Sequence, residues 1–404
     1  MPQTLSTPDF GHLQARALTH LRALAEDIGP RPPTSDRQKQ AVMYVAEALR
    51  NAGVEDLEFQ SFRAGKHTYW PYVAAFAAGL VGNLAYLLHP RRATSGLAAM
   101  LNAAGAWAFF AQTDFEDNWA RRLFPKGTGL NLIARIPARQ EPRRRIVLSA
   151  HLDTHKTPWA YRSPRLLRAF SMIVGGSFLS LLVGTVLHIL RTAFGWPRSR
   201  WLVGGLPLAF QALATGLAVE GETTPHTHGA NDNASGAAVI LALAEYLAQH
   251  PLPYTEVWVV FTDCEEVGAY GMDAFLRQYG PELRDADFLN VDMVGLGIPG
   301  LQSVDGLLRR HPPHPEIWAK AVEVVKGHPQ WRIKPWVGAY TDATVATKRG
   351  FKALTITMVL PPEHPAARYG GYWHQPQDRW ENIEPETIES ALQLVWALME
   401  RLSR

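Results

Sequence analysis

The sequence predicts an α/β fold, a mostly parallel mixed sheet with helices on both faces, interrupted by two inserted apolar helical hairpins. Three observations carry this. Outside two apolar regions, short runs such as Ile146-Val147-Leu148 and Val257 to Phe261 alternate with amphipathic segments, the grammar of a sheet covered on both faces. His151, Glu265, Glu266 and Asp292 each lie at or just past the end of such a run, where open α/β sheets build their sites. Finally, Tyr69–Leu88, Ala93–Thr113, Ala169–Leu190 and Leu202–Val219 carry no charged residue over 20, 21, 22 and 18 positions. A membrane span needs about 20 apolar residues, so the pairs predict a four-helix membrane region.

Taken in order, a helix over Leu13 to Ala25 stops at Gly29-Pro30-Arg31-Pro32-Pro33, and a second over about Asp36 to Ala52 stops at Gly53. A strand, Leu57 to Phe62, leads into the first apolar hairpin. Strands follow over Leu130 to Ile136 and Arg145 to Ala150, then the second hairpin, then a helical run from Ala237 to Leu247. Strand Glu256 to Thr262, helix Met272 to Tyr279, strand Phe288 to Met293 and helix Pro315 to Lys326 come next. Strand Ala353 to Met358 and an amphipathic helix, Pro385 to Leu402, complete the chain. The division is therefore catalytic segments 1–68, 114–165 and 221–404, with hairpins at 69–113 and 166–220. In the hairpins, Ala74, Ala78 and Gly82 suit close helix packing, and Trp70, Tyr72, Trp107 and Trp201 suit an interfacial belt. Membrane lipid is the expected partner of these faces; a second copy of the chain, through a hydrophobic dimer interface, is the other.

A net charge of +3 across 404 residues offers no basic stripe for nucleic acid. Cys264 is the single cysteine, which excludes an intramolecular disulfide. The first thirty residues lack the pattern of a cleavable signal peptide.

The chemistry gathers around Gly229-Ala230-Asn231-Asp232-Asn233-Ala234-Ser235-Gly236. Asn231, Asp232 and Asn233 are good helix N-caps, so Asp232 is expected at a loop-to-helix junction. Alone the stretch is only a capped helix. With His151, Glu265, Glu266, Asp292 and His374 it offers three carboxylates and two imidazoles for metal, plus a spare acid. Asp153, two residues after His151, is placed to reach that histidine's second ring nitrogen and fix its tautomer.

The motifs Ile28-Gly29-Pro30-Arg31-Pro32, Ser149 to Asp153, Gly229 to Gly236, Glu265 to Gly268, Asn290 to Gly295 and Trp373 to Asp378 resemble the di-zinc exopeptidases of metallopeptidase family twenty-eight. Bacterial leucyl aminopeptidases belong there, with glutamate carboxypeptidase and glutaminyl cyclases as relatives. The resemblance implies two zinc ions bridged by Asp232, one also held by His151 and Asp292 and the other by Glu266 and His374. It implies Glu265 as general base, Asp153 in support of His151, and a cis peptide at Asp232-Asn233. The expected activity is removal of N-terminal residues from peptides or amino-acid amides by a membrane-anchored aminopeptidase. A glutaminyl cyclase or carboxypeptidase on the same scaffold is the alternative, and a non-catalytic membrane receptor the alternative of another class.

Two departures from the family stand out. Asp153 and Asp232 are 79 positions apart, most of that gap being the second hairpin, and Tyr340-Thr341-Asp342-Ala343 stands where many relatives have Ser-Asp-His. His226 and His228 lie near Asp232 but are not needed for the five-ligand set, and Cys264 reads as a packed residue. The hairpin loops hold five arginines (Arg91, Arg92, Arg191, Arg198, Arg200) against nine basic residues on the catalytic-side flanks, which favours a cytoplasmic catalytic domain.

Overall fold

The computed structural model describes residues 7–335 and 338–404. Its residues fall into two compact units: one of 1–66, 126–155 and 226–404, the other of 67–125 and 156–225.

The first unit is built on an eight-stranded mixed sheet. Its strands are β1 (Asp56–Gly65), β2 (Lys126–Ile136), β3 (Arg144–His151), β4 (Thr255–Thr262), β5 (Asp287–Val291), β6 (Ile298–Gln302), β7 (Arg332–Lys334) and β8 (Lys352–Val359). The order is β1-β2-β4-β3-β5-β8-β6-β7. The central strands β4, β3, β5 and β8 are parallel, while β1, β2 and β6 enter antiparallel. The sequence located six of these strands; β6 and β7 are short and were not read from it. Alternation sorts the side chains. Ile146, Leu148 and Ala150 join the main core, whereas Trp258 packs on Phe275 and Tyr279.

The helices are α1 (Phe10–Arg22), α2 (Asp36–Asn51), α3 (Trp70–Leu88), α4 (Arg92–Thr113), the single turn α5 (Trp119–Arg122), α6 (Pro164–Phe194), α7 (Leu206–Thr223), α8 (Gly236–Gln249), α9 (Tyr270–Tyr279), α10 (Pro315–Lys326), α11 (Asp342–Lys348) and α12 (Pro385–Ser403). Helices α1, α2 and α12 pack around the buried α8, α10 packs on α12, and all share the main core, while α9 and α11 pack together. Ten of α8's residues are fully buried, which explains its nearly uniform apolarity.

In the second unit, α3, α4, α6 and α7 pack against one another. Among the described residues, three helices, Trp70–Leu88, Pro164–Phe194 and Trp201–Thr223, are long and apolar enough to cross a membrane; α4 is not among them. Helix α6 exceeds its uncharged stretch because Pro164 to Arg168 extends it behind a Ser163 cap.

Candidate active site

Because β3, β4 and β5 run parallel, their carboxyl ends share one edge, and His151 pairs in register with Thr262. His151 ends β3, Glu265 and Glu266 follow β4, and Asp292 follows β5, its N–H donating to the Ile356 carbonyl of β8 (2.9 Å). His374 arrives in a turn after β8, with Tyr372 and His374 in the left-handed backbone region.

Asp232 does not cap a helix; α8 begins four residues later, where the Asn233 carboxamide oxygen accepts from the Gly236 N–H (3.0 Å). The loop is laced to the segment after β5. Asn231 Oδ1 accepts from Gly295 N–H (2.8 Å), Ser235 Oγ from Val294 N–H (3.0 Å), and Asn233 Nδ2 donates to the Val291 carbonyl (2.9 Å). Gly229 has φ +60°, and a Cβ at Gly236 would run into the Val291 carbonyl, so both glycines are required. The Asp232-Asn233 peptide is cis.

The two carboxylate oxygens of Asp232 face different histidines. Oδ1 lies 3.2 Å from His151 Nε2, and Oδ2 lies 3.3 Å from His374 Nε2. On the first side Asp292 Oδ1 is 3.7 Å from His151 Nε2; on the second, Glu266 Oε2 is 3.4 Å from His374 Nε2. All five side chains are buried. The structure therefore brings the whole expected ligand set to one place, divided in two halves by Asp232.

Asp153 sits differently from the expectation. The Nδ1 atom of His151 bonds to the Asp153 backbone carbonyl (3.0 Å), and its distance to the carboxylate is 3.6 Å. The carboxylate instead accepts the N–H groups of Glu265 (3.0 Å) and Glu266 (3.1 Å), because the chain turns sharply after β4 and leaves those amides without strand partners. Asp378 performs the same service for the central loop, accepting from the N–H of Asn231 (2.6 Å) and Asp232 (3.1 Å). Arg31 is fully buried and donates to the carbonyls of Leu24, Gly29, Leu152, His228 and Gly229 at 2.7–3.0 Å, tying the N-terminal turn to two of the site's loops. The sequence marked Arg31 and Asp378 as parts of motifs without giving them work; a lone arginine between prolines carries no periodic signal.

Burial pushes the Glu265 carboxyl well above the usual range, with Glu266, Asp342 and Asp292 adding to the rise and His151 opposing it. Glu266 is raised the same way, by burial and then by Asp232. Asp292 is raised by burial, and Asp342 and Asp378 are pushed up to about 7, again chiefly by burial. Burial holds the His374 imidazole below its ordinary value. For His151 burial is outweighed by the nearby carboxylates of Asp153, Asp232 and Asp292, which lift it well above its ordinary value. Burial would raise Asp232, but His151 and His374 outweigh it and hold its carboxyl below the usual range. So many crowded acids beside two imidazoles are the donors a divalent cation requires, and Oε1 of Glu265 has no hydrogen-bond partner in this buried site. The donor set fits zinc.

His226 and His228 turn one ring nitrogen each to the carbonyls of Thr154 (2.9 Å) and Ala25 (3.0 Å). Asp342 opens α11 behind a Thr341 cap and is bonded by the Thr262 hydroxyl. His155 was missed by sequence reasoning. It is buried, and its ring stacks on His374 with centroids 3.5 Å apart.

The profile of peptidase family M28 matches residues 215–399. The fold is similar to that of a leucine aminopeptidase precursor from Bacteroides thetaiotaomicron (TM-score 0.55, 16% identity, 98% of this chain and 99% of that one). It is also similar to a zinc aminopeptidase from Bacillus subtilis (0.54, 15%, 96% and 94%) and an Acidobacteriales bacterium glutaminyl cyclase (0.57, 16%, 100% and 98%). No curated protein matches by sequence.

Proposed function

We propose that the chain is a metallopeptidase of the M28 type, a di-zinc aminopeptidase anchored in a membrane by its apolar helices. The observation that supports this best is the split of Asp232, one oxygen toward His151 and one toward His374. His151 and Asp292 would hold one zinc, and Glu266 and His374 the other. Bound there, zinc polarises a scissile carbonyl and acidifies water.

The chain's own residues do the rest. Glu265 takes the proton of the attacking water and returns it to the leaving amine. Asp153 fixes the Glu265 and Glu266 backbone, and Asp378 the Asp232 backbone, so that the acids keep their positions when charge develops. Turnover of a panel of amino-acid amides by zinc-loaded protein tests the reading. Release of several free amino acids is the expected result, and no turnover by fully loaded protein would favour the receptor alternative.

The similarity to a glutaminyl cyclase favours one second reading, cyclisation of N-terminal glutamine. Peptides beginning with glutamine decide it, since a cyclase releases ammonia and leaves the peptide bond whole. For the anchor, alkaline carbonate should leave the full chain in the membrane fraction, and release without detergent would contradict it. A reporter fused after Arg404 should be active in the cytoplasm, following the arginine and lysine counts; activity only outside it would reverse the orientation.

A further inference from the structure

Beside the expected five ligands lies a sixth side chain with a ligand's chemistry. We propose that His155 is a metal ligand, adding a second imidazole to the Glu266–His374 half of the centre. The inference rests on the di-zinc reading above. Donor atoms of His155, Glu266 and His374 lie within 4.8 Å of one another, and all three residues are buried. The same spacing relates His151, Asp232 and Glu266, a group drawn from the expected set.

The backbone presents His155 from both sides. Thr154 exchanges bonds with Arg31, its N–H donating to the Arg31 carbonyl (3.0 Å) and its hydroxyl accepting from the Arg31 N–H (3.0 Å). The His155 carbonyl accepts from the Thr227 N–H (2.8 Å). The imidazole is thus delivered by a pinned segment, four residues after His151. The two rings stack 16° from parallel in the acid-lined pocket.

The consequence is a centre with unequal halves. The His151–Asp292 half combines one imidazole with carboxylates; the Glu266–His374 half combines two imidazoles with carboxylates. Imidazole suits zinc, whereas a carboxylate-rich site admits manganese more readily. The first half should therefore exchange its metal for manganese before the second does.

The test separates coordination from stacking. Full-length protein in detergent is stripped with chelator and titrated with Zn²⁺ and with Co²⁺, whose visible spectrum reports its ligands. His155→Phe keeps a ring to stack but no donor, whereas His155→Cys loses the ring and supplies a thiolate. With coordination, His155→Phe weakens one of two binding events by at least about tenfold, the lower limit for loss of even an outer partner of a zinc ligand. His155→Cys then keeps both events and shows a sulfur-to-cobalt absorption band. Tight binding of two metals by His155→Phe, with loss in His155→Cys, would overturn the inference and leave His155 as a stacking support. Wild-type protein that takes up fewer than two metals would remove the di-zinc reading itself. Circular dichroism of each stripped variant confirms that it is folded.

Discussion

The two units bury polar side chains in opposite ways. In the sheet unit the buried groups are ionisable: Asp232, Glu265, Glu266, Asp292, His151 and His374 crowd one another. In the helical unit, where Asp114, Arg121 and Glu222 are also buried, the cluster around Asn83 is neutral and its members satisfy each other. Asn83 donates to Gln211 Oε1 (2.9 Å), Gln211 to Asn102 Oδ1 (2.8 Å), and His188 joins Asn83 (2.8 Å) and Ser95 (3.0 Å). Amides and hydroxyls bond helices together at little desolvation cost. Crowded acids without a cation are unfavourable at neutral pH, so their clustering marks a site rather than a structural device. The outer surfaces differ as well. Val81, Met100, Trp107, Met172, Val186 and Ile189 of the helices are more than half exposed.

Substitutions can sharpen this contrast. The largest effect is expected at Glu265: Glu265→Gln should cut turnover by about 10²–10⁴-fold while leaving metal content unchanged, as measured by steady-state kinetics and metal analysis. Loss of metal with activity retained would exchange the roles of the two glutamates. Next comes Arg31→Met, which strips five buried carbonyls of a donor. Unfolding in denaturant should show a loss of at least about 3 kcal/mol.

The pH dependence of chelated protein follows from the same acids. Folded Glu265, Glu266 and Asp292 keep protons that the unfolded chain releases above about pH 4–5. Asp342 and Asp378, pushed up to about 7, act alike. The raised imidazole of His151 has the same sign, while His374, whose imidazole is lowered, opposes it. The native state therefore binds more protons than the unfolded one, and stability falls as pH rises from about 5 to 8. Zinc displaces those protons, so its affinity should rise over the same range. Thermal melts with chelator and with zinc measure both. In the helical unit the effect is smallest: Gln211→Leu should cost about 0.6–2 kcal/mol in detergent unfolding, the range for a hydrogen bond between membrane helices.

Much of this was legible in the sequence because period and chemistry coincide. Strands β3, β4 and β5 are continuous apolar runs, and the acids and His151 sit at their ends. What escaped has physical reasons. Strands β6 and β7 are five and three residues long and carry Pro299, Gly300 and Lys334, a composition that reads as loop. The Asp153 carboxylate was assigned to His151 by sequence proximity, but the bare amides after β4 claim it. Arg31 and Asp378 act on groups more than a hundred positions away, and His155 matters only through a ring 219 positions later, which no local pattern encodes.

The central claim is that one carboxylate, Asp232, joins two metal positions. Metal analysis of full-length protein purified in detergent, beside Asp232→Ala folded to the same circular dichroism, tests it most directly. The account predicts two zinc ions per wild-type chain and loss of both from the variant at micromolar free zinc. Two ions retained by Asp232→Ala, or fewer than two in the zinc-saturated wild type, would contradict it.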